Sequence, residues 1–261
     1  MLPSCSTVDL DLIETYYDTV PRAIADVEDV GPFTLFVADP ATGWNFYARP
    51  RLGAGAGITP DDVRRVLDRQ AELGVPRAIE WVDEVTPALL PAVRAAVDGP
   101  DEPELCPLLA LPAASALPPT RTSTRVLSAD DPDLRTVVGA VGAAFGGSDD
   151  VAAKDPGRQA ELVARGLLVV VATRDSAGAI VGGGSAAPRG EVAELMGIAV
   201  IPAARRQGLG TGTTAALAEA CRARGVHTVF LSAASDDAAS VYRSVGFERV
   251  GTACILQVTD H

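Results

Sequence analysis

Lysine is almost absent from this chain of 261 residues, and its excess charge is acidic. Lys154 is the only lysine, arginine supplies the other positive charges, and the formal net charge is −12. Proteins that hold a nucleic-acid backbone need a basic surface, so we expect no nucleic-acid partner. The acidic surface either serves solubility alone or favours a cationic partner or substrate.

Cysteine and histidine are also scarce. The four cysteines form no Cys-x-x-Cys pair, and His227 and His261 are the only histidines. Because a structural metal site needs a cluster of such ligands, we expect no metal. Unpaired cysteines are typical of a reducing compartment, and residues 1–10 lack the basic and apolar regions of a secretory signal. These features predict a cytoplasmic protein.

Long apolar runs are missing as well. The longest, residues 166–173, is far too short to cross a bilayer, so we expect no membrane partner. Hydrophobic residues still make up 48% of the chain, which is enough for packed cores. We place a domain boundary near residue 119, where two prolines follow a stretch rich in proline and acidic residues. The predicted domains are residues 1–119 and residues 120–261.

Helices and strands alternate in the second domain, which predicts an α/β fold. Apolar residues recur at helical spacing over residues 132–145, so Leu134, Val137 and Phe145 would share one buried face. Further helices are predicted at 158–165, 207–224 and 236–245, and strands at 124–127, 167–173, 179–186, 191–200, 227–233 and 247–258. Three consecutive glycines at 182–184, inside a strand, indicate a bulge or a close backbone approach.

The first half partly repeats this pattern. A helix at 60–73 ends at Gly74, and GVPRAIEWVDE follows it; the helix at 207–224 ends at Gly225, and GVHTVFLSAAS follows it. Each half then continues with a helix, at 86–97 or 236–245, and a strand. We interpret this as a degenerate internal repeat, the alternative being two unrelated α/β segments with similar turns.

The strongest chemical signal is the sequence GIAVIPAARRQGLGTG at residues 197–212. A strand enters a glycine-rich loop, and a helix begins on that loop. The N–H groups of a helix's first turn have no partner inside the helix, and the helix dipole adds positive potential there. Such a terminus binds phosphate or diphosphate. Gly208 and Gly210 would keep these groups accessible, and Arg205 and Arg206 would add positive charge.

Other glycine-rich phosphate loops do not fit this segment. A P-loop would end in Gly-Lys-Ser/Thr, and a dinucleotide fingerprint needs a third glycine where Thr213 stands. A kinase loop needs a lysine on the following strand. The run from Arg205 to Gly210 instead resembles the Gln/Arg-x-x-Gly-x-Gly/Ala acetyl-CoA signature of GNAT acetyltransferases. Downstream, SDDAASVYRSVGF resembles the second motif of that family, with Ser235 in place of asparagine. The resemblance covers residues 121–258.

The resemblance implies a fold, a cosubstrate and a set of binding residues. The GNAT fold is a mixed, mainly antiparallel sheet flanked by helices, here in two tandem lobes. Acetyl-CoA would bind with its diphosphate on the loop and its pantetheine arm along the preceding strand. A backbone N–H of that strand would face the thioester carbonyl as an amine attacks it directly. The implied cofactor-binding residues are Ile198, Ala199, Val200, Arg205, Arg206, Gln207, Gly208, Leu209, Gly210, Thr211 and Ser235.

Two side chains are candidates for proton transfer. Tyr242 stands where the general acid of the family would protonate the leaving thiolate, the alternative being a tyrosine packed under the next turn. Glu194 resembles the catalytic glutamate of some GNAT enzymes and would act as a base through water. The alternative for Glu194 is a strand-end carboxylate in solvent or paired with arginine. His227 is interpreted as structural.

The first half is predicted to be non-catalytic. Its loop at residues 51–60 carries glycines, including Gly55, but Asp61 and Asp62 open the next helix and would repel phosphate. This half would cover the catalytic domain, shape the acceptor pocket or form an interface, and an interface would fit a homodimer. Its aromatic residues either line a pocket or form the core; these are Trp44, Phe46, Tyr47 and Trp81.

The sequence therefore predicts an N-acetyltransferase that moves acetyl from acetyl-CoA to an amine of a small molecule or a peptide. The alternative, from a different class, is a non-catalytic acyl-CoA-binding or sensor protein. The departure at Ser235 motivates it.

Overall fold

The computed structural model describes residues 8–38, 47–54, 57–97, 100–119 and 123–259. Predictions that concern Cys5, Trp44, Phe46 and Gly55 fall outside these ranges. The chain divides into two compact units: the C-terminal unit is built on Leu109–Arg249, and the N-terminal unit on Thr7–Leu108 with Val250–His261. The domain boundary near residue 119 stays a prediction, because compactness and evolutionary descent need not divide a chain at the same point.

The described elements alternate between helix and strand along most of the chain. Those of the first half are α1 (Leu10–Arg22), β1 (Ala25–Val30), β2 (Phe33–Ala38), β3 (Ala48–Pro50), α2 (Pro60–Leu73), β4 (Ala78–Val82), α3 (Leu89–Ala96) and β5 (Glu104–Leu111). Those of the second half are β6 (Thr124–Leu127), α4 (Asp133–Phe145), α5 (Arg158–Ala164), β7 (Val169–Arg174), β8 (Ile180–Arg189), β9 (Val192–Val200), a short 3-10 helix (Pro202–Ala204), α6 (Leu209–Arg222), β10 (Thr228–Ser232), α7 (Asp236–Arg243) and β11 (Glu248–Gln257).

The C-terminal unit has the mixed, mainly antiparallel sheet that was predicted. Its strands lie in the order β10-β9-β8-β7-β6, and β9–β10 is the parallel pair. Alternate residues of β7 pack into two different clusters, Val169 and Val171 with α6, and Val170 with α4. Because successive side chains of a strand point to opposite faces, α6 and α4 cover opposite faces of this sheet.

The N-terminal unit repeats this arrangement. Its strands lie in the order β1-β2-β3-β4-β11, and the pair β3–β4 is parallel. The runs β1-β2-β3-β4 and β7-β8-β9-β10 therefore share two antiparallel pairs followed by a parallel one. Trp81 is buried beside α2 and α3, so it belongs to the core. This shared order supports the degenerate repeat.

Several details differ from the predictions. The helix α3 begins at Leu89 rather than at residue 86, and residues 248–257 form one continuous strand. The elements α1, β1 and β2 lie where none was predicted. The assignment of Phe145 to a buried face was wrong, since 69% of it is exposed at the last residue of α4. Across the described ranges, no helix combines the length and the apolar character needed to span a bilayer.

Candidate active site in the C-terminal unit

The triple glycine marks a bulge between β8 and β9, as predicted. Gly183 pairs with Ala199 and Ser185 pairs with Met196, so one residue of β8 faces two residues of β9. Gly197, in the bulge, has a φ of 61°, a conformation that favours glycine. A bulge bends its strand and redirects the backbone that follows. The outer part of β9 therefore takes a new direction just before the glycine-rich loop.

The parallel strands β9 and β10 open into a cleft. Their register ends at the pair Glu194–Phe230, and β9 continues to Val200 beyond it. The cleft has a volume of about 730 Å³. Its lining comes from β9, the glycine-rich loop, α6, α7 and the end of α4: Ala144, Phe145, Ile198, Ala199, Val200, Ala204, Arg205, Arg206, Gly208, Leu209, Gly210, Thr211, Asp237, Ala238, Val241 and Tyr242.

The N-terminus of α6 opens into this cleft. Gly208 is the N-cap, with a φ of 73°, and no side chain caps the helix. The N–H groups of Leu209, Gly210 and Thr211 belong to the first turn, which lacks partners inside the helix. Arg206 has a φ of 63° and is the one non-glycine residue with positive φ in the described ranges. Strained backbone of this kind concentrates at binding sites.

Arg205 makes contacts that the sequence does not predict. Its Nε donates to the carbonyl of Val200 at 3.0 Å, and its Nη2 donates to the carbonyl of Ala144 at 3.1 Å. The guanidinium thereby links the end of β9 to the last turn of α4. Arg205 borders the cleft mainly as a structural tie, and Arg206 remains the basic side chain beside the helix terminus.

Tyr242 extends from α7 into the same cleft. Its ring packs edge-on against Phe247, with centroids 6.4 Å apart. Burial raises the pKa of the Tyr242 phenol above its usual range, so the phenol keeps its proton at neutral pH. The side chain can therefore donate a proton inside the cleft, and it also packs against the following turn.

Three predicted site residues lie outside the lining of the cleft. Ser235 caps α7, where its hydroxyl accepts from the N–H of Ala238 at 3.2 Å. Gln207 belongs to the loop but does not line the cavity. Glu194 precedes Ile198 by four residues on β9, which places their backbones at most roughly 13 Å apart at about 3.3 Å per residue. Proton transfer between Glu194 and a group at Ile198 would therefore have to pass through water.

Six residues of the lining were not predicted as site residues: Ala144, Phe145, Ala204, Asp237, Ala238 and Val241. Asp237, Ala238 and Val241 lie within the second motif on α7, so their membership of that motif was the available signal. The end of α4 is distant in sequence from both motifs, and no local pattern brings it to the loop.

Other reactive side chains are unsuited to a role here. Burial raises the pKa values of Cys221 and Cys254 to about 12, so these thiols stay protonated. His227 is largely exposed at the start of β10, with Nε2 3.7 Å from a carboxylate oxygen of Glu191. Within the described residues, no group of three or more His, Cys, Asp or Glu side chains could hold a metal ion.

The corresponding helix terminus in the N-terminal unit is closed. Thr59 caps α2 and accepts from the N–H of Asp62, while the Asp62 carboxylate accepts from the N–H of Thr59 at 3.0 Å. The Thr59 hydroxyl also donates to the Asp62 carboxylate at 2.7 Å, and this bond, with that from the Thr59 N–H, holds the pKa of Asp62 below its usual range. A fixed anion thus occupies the position where α6 presents free donors, which agrees with the predicted repulsion of phosphate.

The gap beside the parallel strands of the N-terminal unit is also filled. The strands β3 and β4 pair at Ala48–Ile79. Beyond that pair, the Glu14 carboxylate accepts from the N–H of Val82 at 2.7 Å and from Nη2 of Arg49 at 2.9 Å. Glu14 therefore connects β3 to β4 from α1, in the place that corresponds to the open cleft of the C-terminal unit.

Glu80 should make the stability of this unit depend on pH. Burial raises the pKa of Glu80 to about 7, with a smaller opposing effect from Arg49, 3.6 Å away. The folded state therefore binds this proton more tightly than the unfolded state, so the stabilisation is complete below pH 4.5 and is lost as the pH rises to about 7. From pH 5 to pH 8, the wild type should lose on the order of 2 kcal/mol of unfolding free energy relative to Glu80→Gln. Urea titrations of both proteins measure this difference, and parallel pH profiles would contradict the assignment.

Comparison with known proteins identifies the domain in the C-terminal unit. Residues 139–247 match the acetyltransferase (GNAT) family. The C-terminal unit carries a GNAT-family domain. Among curated proteins, no sequence matches the chain.

Solved structures resemble the whole chain as well as its GNAT domain. A GCN5-related N-acetyltransferase from Kribbella flavida is 20% identical, with a TM-score of 0.73 over 96% of each chain. A GCN5-related N-acetyltransferase from Sphaerobacter thermophilus is 14% identical, with a TM-score of 0.59 over 96% of this chain and 85% of that one. A tandem GNAT protein from the clavulanic acid biosynthesis pathway is 16% identical, with a TM-score of 0.50 over 87% and 78%. At these identities the likeness establishes the fold, and the tandem arrangement agrees with the internal repeat.

Proposed function

We propose that the C-terminal unit binds acetyl-CoA and transfers its acetyl group directly to an amine of a small molecule or a peptide. The observation that carries this proposal is the uncapped N-terminus of α6, which opens into the same cleft as the phenol of Tyr242. A helix terminus of this kind suits a diphosphate, and the nearby phenol suits a leaving group that needs a proton.

The cofactor would lie along β9. Its diphosphate would accept hydrogen bonds from the N–H groups of Leu209, Gly210 and Thr211, with Arg206 beside it. The pantetheine arm would follow the edge of β9 from Val200 to Ile198, which the divergence from β10 leaves open. The thioester would then reach the end of the cleft where Ile198 and Tyr242 join the same core cluster.

The transfer itself would require one nucleophilic attack and three proton movements. The amine nitrogen attacks the thioester carbonyl carbon, a C–N bond forms and the C–S bond breaks. The thiolate takes the proton of Tyr242, which the solvent replaces, and the amine proton leaves through water. Most of the rate gain would come from holding the amine against the thioester.

A coupled thiol-release assay with acetyl-CoA tests the function, using a panel of small amines and of peptides with free amino groups. We expect release above the hydrolysis background for at least one amine class, with an acetylated product by mass spectrometry. Cofactor binding without turnover on any amine would favour the second candidate below. Absence of cofactor binding would contradict both.

Tyr242→Phe tests the proton donor separately. We expect kcat to fall about 10- to 100-fold, because the hydroxyl is lost while the ring packing against Phe247 is kept. The dissociation constant for CoA, measured by calorimetry, should change less than about twofold. An unchanged kcat across the pH range would assign Tyr242 to packing alone.

The second candidate is a non-catalytic acyl-CoA-binding or sensor protein. The observation that favours it is the use of the Ser235 hydroxyl as a helix cap, which removes it from the cleft lining. Glu194 also lies far along β9 from the proposed thioester position.

A further inference from the structure

Phe145 is an unusually exposed aromatic side chain in the wall of the cleft. It is 69% exposed, the highest value among the large hydrophobic residues of the described ranges, whereas Phe230 and Phe247 of the same unit are buried. Val241, in the lining on α7, is also 38% exposed. An exposed ring that borders a cavity is a surface available to a ligand.

The end of α4 is fastened at the outer part of this cleft. Ala144 packs in one cluster with Val200, Ala204 and Leu209. The bonds from Arg205 to the carbonyls of Ala144 and Val200 hold the same turn against the end of β9. Phe145 therefore lies near the glycine-rich loop, whereas Ile198 and Tyr242 belong to the other cluster at the inner end.

This inference rests on the proposed function. If CoA binds as proposed, its covalent structure determines which part of it lies at each end of the cleft. From a diphosphate on the first turn of α6, the pantetheine arm runs inward along β9. The adenosine, attached to the other side of the diphosphate, must then leave at the outer end. The lining of the cleft on this side includes the exposed ring of Phe145, and Arg206 of the loop supplies a positive charge.

We propose that Phe145 stacks on the adenine ring of CoA and sets the preference of the site for the nucleotide-bearing cofactor. Stacking of a base on an aromatic side chain tolerates an open, solvent-exposed position, since it uses the π-face of the base and no buried hydrogen bond. The ring thus distinguishes CoA from phosphopantetheine, which carries the same arm with one phosphate and without the 3′-phosphoadenosine.

Calorimetric titrations with CoA and with phosphopantetheine test this assignment in three variants of the full chain. Phe145→Ala should weaken CoA binding about 10- to 100-fold and leave phosphopantetheine binding unchanged. Phe145→Trp should keep wild-type affinity for CoA, and Phe145→Leu, which retains apolar area without a ring, should resemble Phe145→Ala. Because the side chain is exposed, all three variants should fold.

Three results would overturn the assignment. Equal weakening of both ligands by Phe145→Ala would place the ring against the arm, and CoA affinities unchanged in all variants would remove the ring from the site. Full rescue by leucine would show a hydrophobic contact without stacking. Failure of the wild type to bind CoA would instead refute the proposed function, and this inference with it.

Discussion

Replacement of Gly208 by valine is expected to abolish CoA binding. Gly208 caps α6 with a φ of 73°, in the left-handed region that is costly for any side chain and most costly for a β-branched one. The first turn of α6 would have to shift, and the new Cβ would stand beside the N–H groups assigned to the diphosphate. We expect the dissociation constant for CoA to rise at least about 100-fold, equivalent to roughly 2.7 kcal/mol. Isothermal titration calorimetry measures the change.

Gly225→Val provides the matched control for this substitution. Gly225 follows the other end of α6 with a φ of 83°, and a Cβ there would meet nothing within 4 Å. The control therefore carries similar backbone strain at a distance from the cleft. It should lose stability and keep wild-type affinity for CoA. Equal affinities of the two variants would show that the terminus of α6 does not hold the cofactor.

Glu14→Ala is expected to destabilise the N-terminal unit by about 3–5 kcal/mol. Glu14 and Arg49 are 5% and 2% exposed, so the substitution would leave a buried guanidinium whose nearest remaining carboxylate is Glu80 at 3.6 Å. It would also remove the acceptor of the Val82 N–H. Because whole domains are stable by only about 5–15 kcal/mol, the loss should be visible as an early unfolding transition in urea.

Glu102→Gln controls for the loss of a carboxylate from the same unit. Glu102 pairs with Arg94 at 3.1 Å, with both side chains at least half exposed, and such pairs contribute less than about 1 kcal/mol. Unfolding curves of Glu14→Ala that coincide with those of Glu102→Gln would contradict the structural role assigned to Glu14.

The elements around the site were predictable because their signals are local. The bulge follows from three consecutive glycines, and α2 follows from a threonine cap, a proline and a terminal glycine. The loop before α6 combines strand, glycine and helix patterns that are consistent with one another. The helix α1 had a signal too, since Ile13, Tyr16 and Tyr17 are buried at helical spacing behind the Asp9 cap.

The remaining parts of the site depend on contacts between distant residues. A terminal phenylalanine on the apolar face of a helix predicts burial, whereas Phe145 is exposed beside the cleft, on a turn that Arg205 binds from 61 residues further along the chain. Likewise, a glutamate on a surface helix predicts solvation, but Glu14 is buried because it binds Arg49 and the N–H of Val82. These two partners lie 35 and 68 residues away in the chain. No local pattern encodes either contact.

Because the helix terminus of α2 is capped and the carboxylate of Glu14 fills the gap beside β3 and β4, we expect no cofactor to bind at these two positions of the N-terminal unit. The two halves share a strand order, but they differ in whether the gap beside the parallel pair is open or filled by the chain's own side chains. The proposed function therefore depends above all on the N-terminus of α6, which is assigned to the diphosphate of CoA.

A crystal structure of the full chain grown with CoA tests that feature most directly. We expect one CoA per chain, with the diphosphate oxygens within hydrogen-bonding distance of the backbone nitrogens of Leu209, Gly210 and Thr211. A diphosphate bound elsewhere, or a second CoA beside Glu14, would contradict it.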